Sequence, residues 1–144
     1  MLKLAVYIAA PWVAKDQALE AQKKFEQAGF VVTSHWITYH SDAWPQYGTP
    51  ALAPEKNERE LTRQAIEDLR DIEDSDAFVI LNLDKSEGKA TELGYAYALG
   101  LPVVLVGERS RNIFYHLPTI TRVDTVEDAI EYLGELVEVA RAVA

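Results

Sequence analysis

Short apolar runs alternate along the chain with stretches in which apolar residues recur at helical spacing. The apolar runs predict strands at 4–10, 77–81, 102–106 and 119–123, and another that opens at Phe30 and continues to about Ile37. The helical stretches predict helices at 15–28, 57–72, 89–99 and from about 126 to 143, the last capped by Asp124 or Thr125. Proline, glycine and aromatic residues recur in 38–54, which predicts a long loop of the kind that forms lids or site walls.

Strands that alternate with helices predict an α/β domain with a parallel sheet covered on both faces. Right-handed crossovers then give a flavodoxin-like, doubly wound sheet of five strands in the order 2-1-3-4-5, formed by residues 1–144 as a single domain. Such sheets bind ligands at the carboxyl ends of strands, where the strand order reverses. The candidate site therefore includes Pro11 and Trp12 after strand 1 and the polar turn at 84–88 after strand 3.

Composition and charge narrow the classes of partner. The chain has 144 residues, of which 49% are hydrophobic and 26% are charged, a balance that supports an ordinary core. Its formal net charge of −9 and lack of a basic stripe disfavour binding to a nucleic acid polymer, although a helix N-terminus could still hold one phosphate. No stretch predicts a signal peptide or a membrane span, so we expect a cytoplasmic protein without membrane contact.

Familiar cofactor and metal motifs are missing from the sequence. There is no cysteine, and His35, His40 and His116 lack the spacing of zinc ligands. Residues 9–12, with the sequence AAPW, replace the glycine-rich loop of a dinucleotide site and the Ser/Thr/Gly-rich loop of a flavin site. We therefore expect neither a metal nor an organic cofactor.

Glu92 is the residue least suited to a purely structural role. It is the one charged side chain between Ala90 and Val106, in a predicted helix that is apolar nearly all round. Burial of a carboxylate is costly, and its predicted place in the first turn at the carboxyl end of strand 3 would favour the ionised form of a nucleophile. A first-turn glutamate that helps to cap the helix is an equally good interpretation of the position.

Three further polar residues have structural interpretations of their own. Asp68 lies in the acidic segment 67–71, where an exposed helix face is the default, and Asp76 precedes strand 3 as a turn residue. Tyr7 lies near the carboxyl end of strand 1, where a core tyrosine is expected. A buried tyrosine hydroxyl nevertheless needs a partner, and a carboxylate at the sheet end would supply one.

Three segments carry a family resemblance: VYIAAP at 6–11; DLRDI at 68–72, which leads to SDA at 75–77; and GKATELGYAYALG at 88–100, followed by Pro102. With these segments in this order, the chain resembles the nucleoside 2-deoxyribosyltransferases and the related 2′-deoxynucleoside 5′-monophosphate N-glycosidases. The resemblance covers most of the chain and is weakest over 38–54.

The resemblance implies roles for particular residues. Glu92 matches the nucleophilic glutamate, Asp68 an aspartate close to the leaving base, and Tyr7 the tyrosine that orients the glutamate. Ser86, beside Gly88, falls where the monophosphate glycosidases hold the 5′-phosphate. That branch carries an arginine where this chain has Pro11, Trp12 and Val13; Lys15, Arg109 or Arg111 are possible substitutes. In the family a neighbouring subunit completes the site, which implies a homo-oligomer with Asn112 and His116 near the neighbour's site.

The expected activity is cleavage or transfer at the N-glycosidic bond of a 2′-deoxyribonucleoside through a glutamyl glycosyl-enzyme. Hydrolysis of a 2′-deoxynucleoside 5′-monophosphate, or of a ribonucleotide such as CMP, remains an alternative at the same site. An alternative of another class is a non-catalytic module that binds nucleotides, because fold alone does not determine function.

Overall fold

A computed structural model describes residues 3–38 and 54–143, with side chains in the second range from 58 onward. Five parallel strands form one sheet in the order β2-β1-β3-β4-β5. The strands are β1 (Ala5–Ala9), β2 (Val31–Val32), β3 (Ala77–Leu81), β4 (Val103–Val106) and β5 (Ile120–Val123). The α-helices of the described ranges are α1 (Lys15–Gln27), α2 (Pro54–Glu73), α3 (Glu87–Ala98) and α4 (Val126–Val143). The predicted fold class and strand order are confirmed.

The core lies on both faces of the three central strands. Every residue of β3 and β4 is buried, as are Val6 to Ala9 of β1, because helices cover the sheet on both sides. Helix α1 packs against α4, and α2 packs against α3. No helix in the described ranges is both long and apolar enough to cross a membrane.

The prediction that strand 2 continues to about Ile37 is wrong. The ladder with β1 ends after Val32, and His35–Ile37 form a turn of 3-10 helix. The chain leaves the ladder because the Ser34 side chain replaces a backbone partner: its Oγ accepts the Ile8 backbone N–H at 3.1 Å. The Trp36 indole then donates to the Ile8 carbonyl at 2.8 Å, which fixes this turn against β1.

Two helices begin earlier than their hydrophobic patterns predict. Helix α3 begins at Glu87 because the side chain of Ser86 accepts the Lys89 backbone N–H as an N-cap, and it ends before Gly100, whose φ of +77° favours glycine. Helix α2 begins at Pro54, inside the predicted 38–54 loop, and proline suits the first position of a helix. Residues 39–53 of that loop lie outside the described residues. Thr125, rather than Asp124, caps α4 through the Asp128 backbone N–H.

Candidate active site

A cavity of about 150 Å³ lies at the carboxyl edge of the sheet, where β1 and β3 end beside α2 and α3. Its position is the switch point at which the strand order reverses. Residues from the loop after β1, the 3-10 turn at 35–37 and both helices line it: Ala10, Trp12, Trp36, Gln64, Glu67, Asp68, Ser86, Gly88, Lys89 and Glu92.

Glu92, which lines this cavity, is hydrogen-bonded to the buried Tyr7. The Tyr7 hydroxyl donates a hydrogen bond to Glu92 Oε2 across 85 positions of sequence. Tyr7 is fully buried, and its ring stacks on Phe78 of the neighbouring strand with centroids 5.5 Å apart and planes 4° from parallel. This packing holds the tyrosine hydroxyl in place, and the hydroxyl fixes one oxygen of the Glu92 carboxyl.

Burial, more than the helix dipole, governs the protonation of Glu92. Glu92 is the sixth residue of α3, because the helix begins at Glu87, so the predicted first-turn position is wrong and the dipole acts on it weakly. Burial and the nearby Asp68 raise the pKa of Glu92 to about 8, against the lowering effect of the Tyr7 hydrogen bond. The free site thus holds a carboxyl that gives up its proton with difficulty.

Asp68 faces the cavity instead of occupying a solvated helix face. It is half-buried, and burial together with the charges of Asp71 and Glu67 raises its pKa to about 7. Asp76, in contrast, has the structural role that its turn position predicts, because its Oδ2 accepts the Ala5 backbone N–H at 2.8 Å. The cavity therefore holds two carboxyl groups that both retain protons to unusually high pH.

Aromatic and amide groups form the outer wall of the cavity. The rings of Trp12 and Trp36 lie 6.3 Å apart with a 39° tilt, and Lys15 Nζ lies 4.4 Å from the Trp12 ring centroid. On α2, Gln64 also lines the cavity, and its amide Nε2 is buried. Flat apolar faces beside a side-chain amide suit a planar heterocycle with polar edges.

A second, larger cavity of about 590 Å³ adjoins the first, and the two share Ser86 and Lys89. The loops after β3 and β4 line it, with Asn82, Asp84, Arg111, Asn112 and Tyr115 among its walls. Ser86 therefore lies where the two cavities meet.

Lys89 is a site residue that the sequence interpretation missed. Its side chain is 1% exposed, and its ammonium donates to Asn82 Oδ1 at 2.6 Å and to the Asp84 carbonyl. Burial lowers its pKa. The lysine fixes the loop between β3 and α3, and thereby the positions of Ser86 and Gly88. The sequence signal that could have identified Lys89 is its position immediately before the apolar segment that contains Glu92.

The remaining predicted binding residues do not line the cavity that holds Glu92. Asn112 borders the larger cavity, and its side chain caps the 3-10 turn at 113–116. His116 is exposed and contacts the Ser110 carbonyl, and it lines neither cavity of its own chain. Pro11 is likewise not a wall residue, although its neighbours Ala10 and Trp12 are.

The two arginines that could replace the arginine of the monophosphate glycosidases make different contacts. Arg109 donates to the carbonyls of Tyr115 and Ile120 and so supports the loop after β4, whereas Arg111 lines the larger cavity. Within the described ranges, no three histidine, aspartate or glutamate side chains are grouped as metal ligands would be.

A family model described as nucleoside 2-deoxyribosyltransferase matches residues 6–139. The chain belongs to the nucleoside 2-deoxyribosyltransferase family. No curated protein matches the chain significantly. Among solved structures, the 2-deoxyribosyltransferase of Bacillus psychrosaccharolyticus is similar, with 20% identity, a TM-score of 0.55, and coverage of 88% of this chain and 90% of that one. The CMP N-glycosidase BcmB of Clostridium botulinum is similar, with 17% identity, a TM-score of 0.51, and coverage of 90% and 98%. At these identities the two structures support the shared fold.

We predict that Glu92→Gln stabilises the protein at pH 8. Unfolded Glu92 loses its proton near its ordinary pKa of about 4.3, whereas folded Glu92 holds it to about pH 8. Between these values the folded state binds more protons, so this carboxyl lowers stability as pH rises. Urea denaturation should show Glu92→Gln about 2–4 kcal/mol more stable than wild type at pH 8, with little difference at pH 4.

The control for this prediction is Glu131→Gln, an exposed glutamate on α4 far from the cavity. Its stability should follow that of the wild type at both pH values. Equal pH slopes for wild type and Glu92→Gln would contradict the assignment of a buried, proton-retaining carboxyl.

Proposed function

We propose that this protein cleaves the N-glycosidic bond of 2′-deoxyribonucleosides and transfers the deoxyribosyl group through a covalent intermediate on Glu92. The observation that carries the proposal is the Glu92 carboxyl, held by the Tyr7 hydroxyl inside a cavity that also contains Asp68. A partly buried glutamate beside a second, proton-retaining carboxyl matches the pair that retaining glycoside chemistry uses.

In the first step, ionised Glu92 attacks the anomeric carbon of the sugar. A C–O bond forms to the carboxylate while the C–N bond to the base breaks, through a transition state with oxocarbenium character. Asp68, in its protonated form, donates its proton to the departing base. The products of this step are a deoxyribosyl ester of Glu92, a neutral free base and an ionised Asp68.

In the second step, a nitrogen of an acceptor base attacks the anomeric carbon and displaces Glu92. Asp68, now a carboxylate, takes the proton that the acceptor loses, so both carboxyls return to their starting states. If water replaces the acceptor, the same steps give free deoxyribose, and the reaction is hydrolysis.

The raised pKa values of both carboxyls serve this cycle. Glu92 at about 8 and Asp68 at about 7 belong to neighbouring groups, so the site readily keeps one proton between them near neutral pH. In the free protein that proton lies mainly on Glu92, which has the higher pKa of the two. The reactive arrangement moves the proton to Asp68 and leaves the negative charge on Glu92. Positive charge that develops on the sugar favours an ionised Glu92, so the transition state stabilises the arrangement.

Two features support a nucleoside as the ligand. Trp12 and Trp36 offer apolar faces to a planar base, and the Gln64 amide lines the same cavity. A Glu92 carboxylate pressed against the sugar leaves little space for a 2′-hydroxyl, which favours deoxyribose over ribose.

A 5′-monophosphate is the second candidate substrate, and Lys89 is the observation that favours it. Lys89 and Ser86 line both cavities, and the N-terminus of α3 supplies backbone N–H groups there, although the Lys89 ammonium is itself bonded to Asn82 and Asp84. Asp84 and Glu87, together with the net charge of −9, oppose a dianion. We therefore place the free nucleoside first.

A substrate panel tests the proposed activity. We predict release of free base from deoxynucleosides, detected by chromatography, with faster exchange when an acceptor base is present. Glu92→Gln should lower kcat at least about a thousandfold, because the nucleophile is lost, and Glu131→Gln should match the wild type.

A tenfold higher kcat/KM for 5′-monophosphates would select the second candidate, and base release from ribonucleotides alone would select a ribonucleotide hydrolase. Binding without turnover, or full activity of folded Glu92→Gln, would contradict the mechanism.

Proton donation by Asp68 predicts a dependence on the leaving group. Asp68→Asn should slow substrates with poor leaving bases by about 10²–10⁴-fold, and should affect substrates whose base leaves easily much less. In the wild type, deprotonation of Asp68 should make the rate fall at high pH. This fall should be absent in Asp68→Asn. Equal losses for good and poor leaving bases would show that Asp68 is not the acid.

We propose that the protein acts as a homo-oligomer in which the loop after β4 contacts a neighbouring copy. Ile113 and Phe114 of this loop are 75% and 59% exposed, and they stand beside Asn112 at the rim of the larger cavity. Adjacent large apolar side chains at the rim of a site suit an interface between subunits.

The oligomer proposal predicts that Phe114→Asp dissociates the protein and lowers kcat/KM, because a charge enters the interface. Light scattering gives the mass, and the base-release assay gives the activity. Val139→Asp is the matched control: this α4 residue is 61% exposed and should leave both unchanged. A wild type that is monomeric and fully active would refute the proposal.

A further inference from the structure

Asp71 and His35 form a pair just outside the catalytic cavity, and the mechanism above does not use it. Asp71 is 5% exposed, and its two oxygens accept from the same residue: Oδ2 from the His35 backbone N–H at 3.0 Å, and Oδ1 from the His35 ring Nδ1 at 2.9 Å. The His35 side chain is 72% exposed, so its ring exchanges protons with bulk water. The pair thus links a buried carboxylate to a titratable group at the surface.

Asp71 lies on the same face of α2 as Asp68. The two are three residues apart in one helix, a spacing that brings side chains within about 5–6 Å at Cβ. The Asp71 charge is the second-largest cause, after burial, of the raised pKa of Asp68, and it also raises the pKa of Tyr7. A change in charge at Asp71 therefore reaches the groups that border the anomeric carbon in the proposed mechanism.

Other charged groups surround the pair on two sides. Arg63, Glu67 and Arg70 border it in an open groove on the outer side of α2, where Arg63 pairs with Glu67 at 3.3 Å. Towards the cavity stand Asp68, Tyr7 and, beyond them, Glu92. Arginine does not titrate between pH 5 and 9. His35, whose pKa Asp71 raises, is the surface group bonded directly to Asp71.

We propose that Asp71 is a positioning residue for the catalytic proton: its buried negative charge keeps the proton on Asp68, and protonation of His35 weakens that hold. The proposal rests on the proposed role of Asp68 as the acid. At high pH neutral His35 leaves the Asp71 charge uncompensated, so Asp68 stays protonated and able to donate. At low pH the imidazolium offsets Asp71, and Asp68 releases its proton more readily.

Asp71 has a structural contact as well, which the experiment must separate from its charge. By accepting the His35 backbone N–H, it supports the 3-10 turn that carries Trp36 into the cavity wall. Asp71→Asn removes the charge but keeps an oxygen that can accept this hydrogen bond. His35→Gln keeps the backbone N–H and a side-chain donor but cannot titrate.

The experiment measures two quantities in wild type, Asp71→Asn, His35→Gln and the control Asp74→Asn, an exposed aspartate in the turn that follows the same helix. The first is the titration of the Asp68 carboxyl, followed by NMR of protein labelled with ¹³C at aspartate side chains and assigned with Asp68→Asn. The second is the pH dependence of kcat/KM for a deoxynucleoside with a poor leaving base.

We expect the two variants to move the Asp68 titration in opposite directions. Asp71→Asn should lower its midpoint by roughly one pH unit, the effect of losing a like charge at close range, while His35→Gln should raise it by a smaller amount. In each variant, the pH at which kcat/KM declines on the alkaline side should shift in the same direction as the Asp68 midpoint. Asp74→Asn should match the wild type in both quantities. An unchanged Asp68 midpoint in Asp71→Asn, or shifts of the same sign in both variants, would overturn the proposal. Midpoints that shift while the kinetic limb stays fixed would instead refute Asp68 as the acid.

Discussion

The hydrogen bond from the Tyr7 hydroxyl to the Glu92 carboxyl is the contact on which the rest of the site depends. It joins β1, the neighbour of the central strand β3, to the helix that follows β3, and it holds the Glu92 carboxyl at the cavity. Stacking of Tyr7 on Phe78 fixes the hydroxyl in turn. The parallel sheet supplies this geometry because β1 and β3 are neighbours and end at the same edge.

A carboxyl in this position lowers stability near neutral pH, and the fold tolerates it because the apolar sheet is extensive. Burial raises the pKa of Glu92 to about 8 and that of Asp68 to about 7, so each group resists ionisation in the free protein. A nucleophile that ionises reluctantly is best stabilised when positive charge appears beside it, as it does on the sugar in the transition state. Burial of the carboxyl groups thus accounts both for the lower stability of the free protein and for the proposed reactivity.

Local patterns made most of the fold predictable. Buried runs such as β3 and β4 are apolar on both faces, so their positions follow from hydrophobicity alone. Strand 2 was overextended because nothing in its pattern reveals that Ser34 would take the place of a backbone partner for Ile8. Glu92 was predictable as a lone charge in an apolar segment, although its helix begins earlier than its apolar residues suggest.

Such patterns do not predict contacts between segments that are far apart in the sequence. Asp68 looked like part of a solvated acidic face, and only the packing of α2 beside α3 turns it towards the cavity. Lys89 resembled the polar start of a helix, yet its ammonium is buried by the loop that it holds. The pairing of His35 with Asp71 spans 36 positions and depends on the same turn that ends strand 2.

The most direct test of the account is to trap the proposed glycosyl-enzyme. A deoxynucleoside analogue with a fluorine at the 2′-carbon slows both steps by destabilising the oxocarbenium-like transition state, and an easily displaced base restores the first step. Mass spectrometry of the protein after this reaction, followed by proteolysis, should find one sugar per chain on the peptide that contains Glu92. A protein that releases base from the natural substrate but carries no sugar on that peptide, or carries it on another residue, would contradict the account.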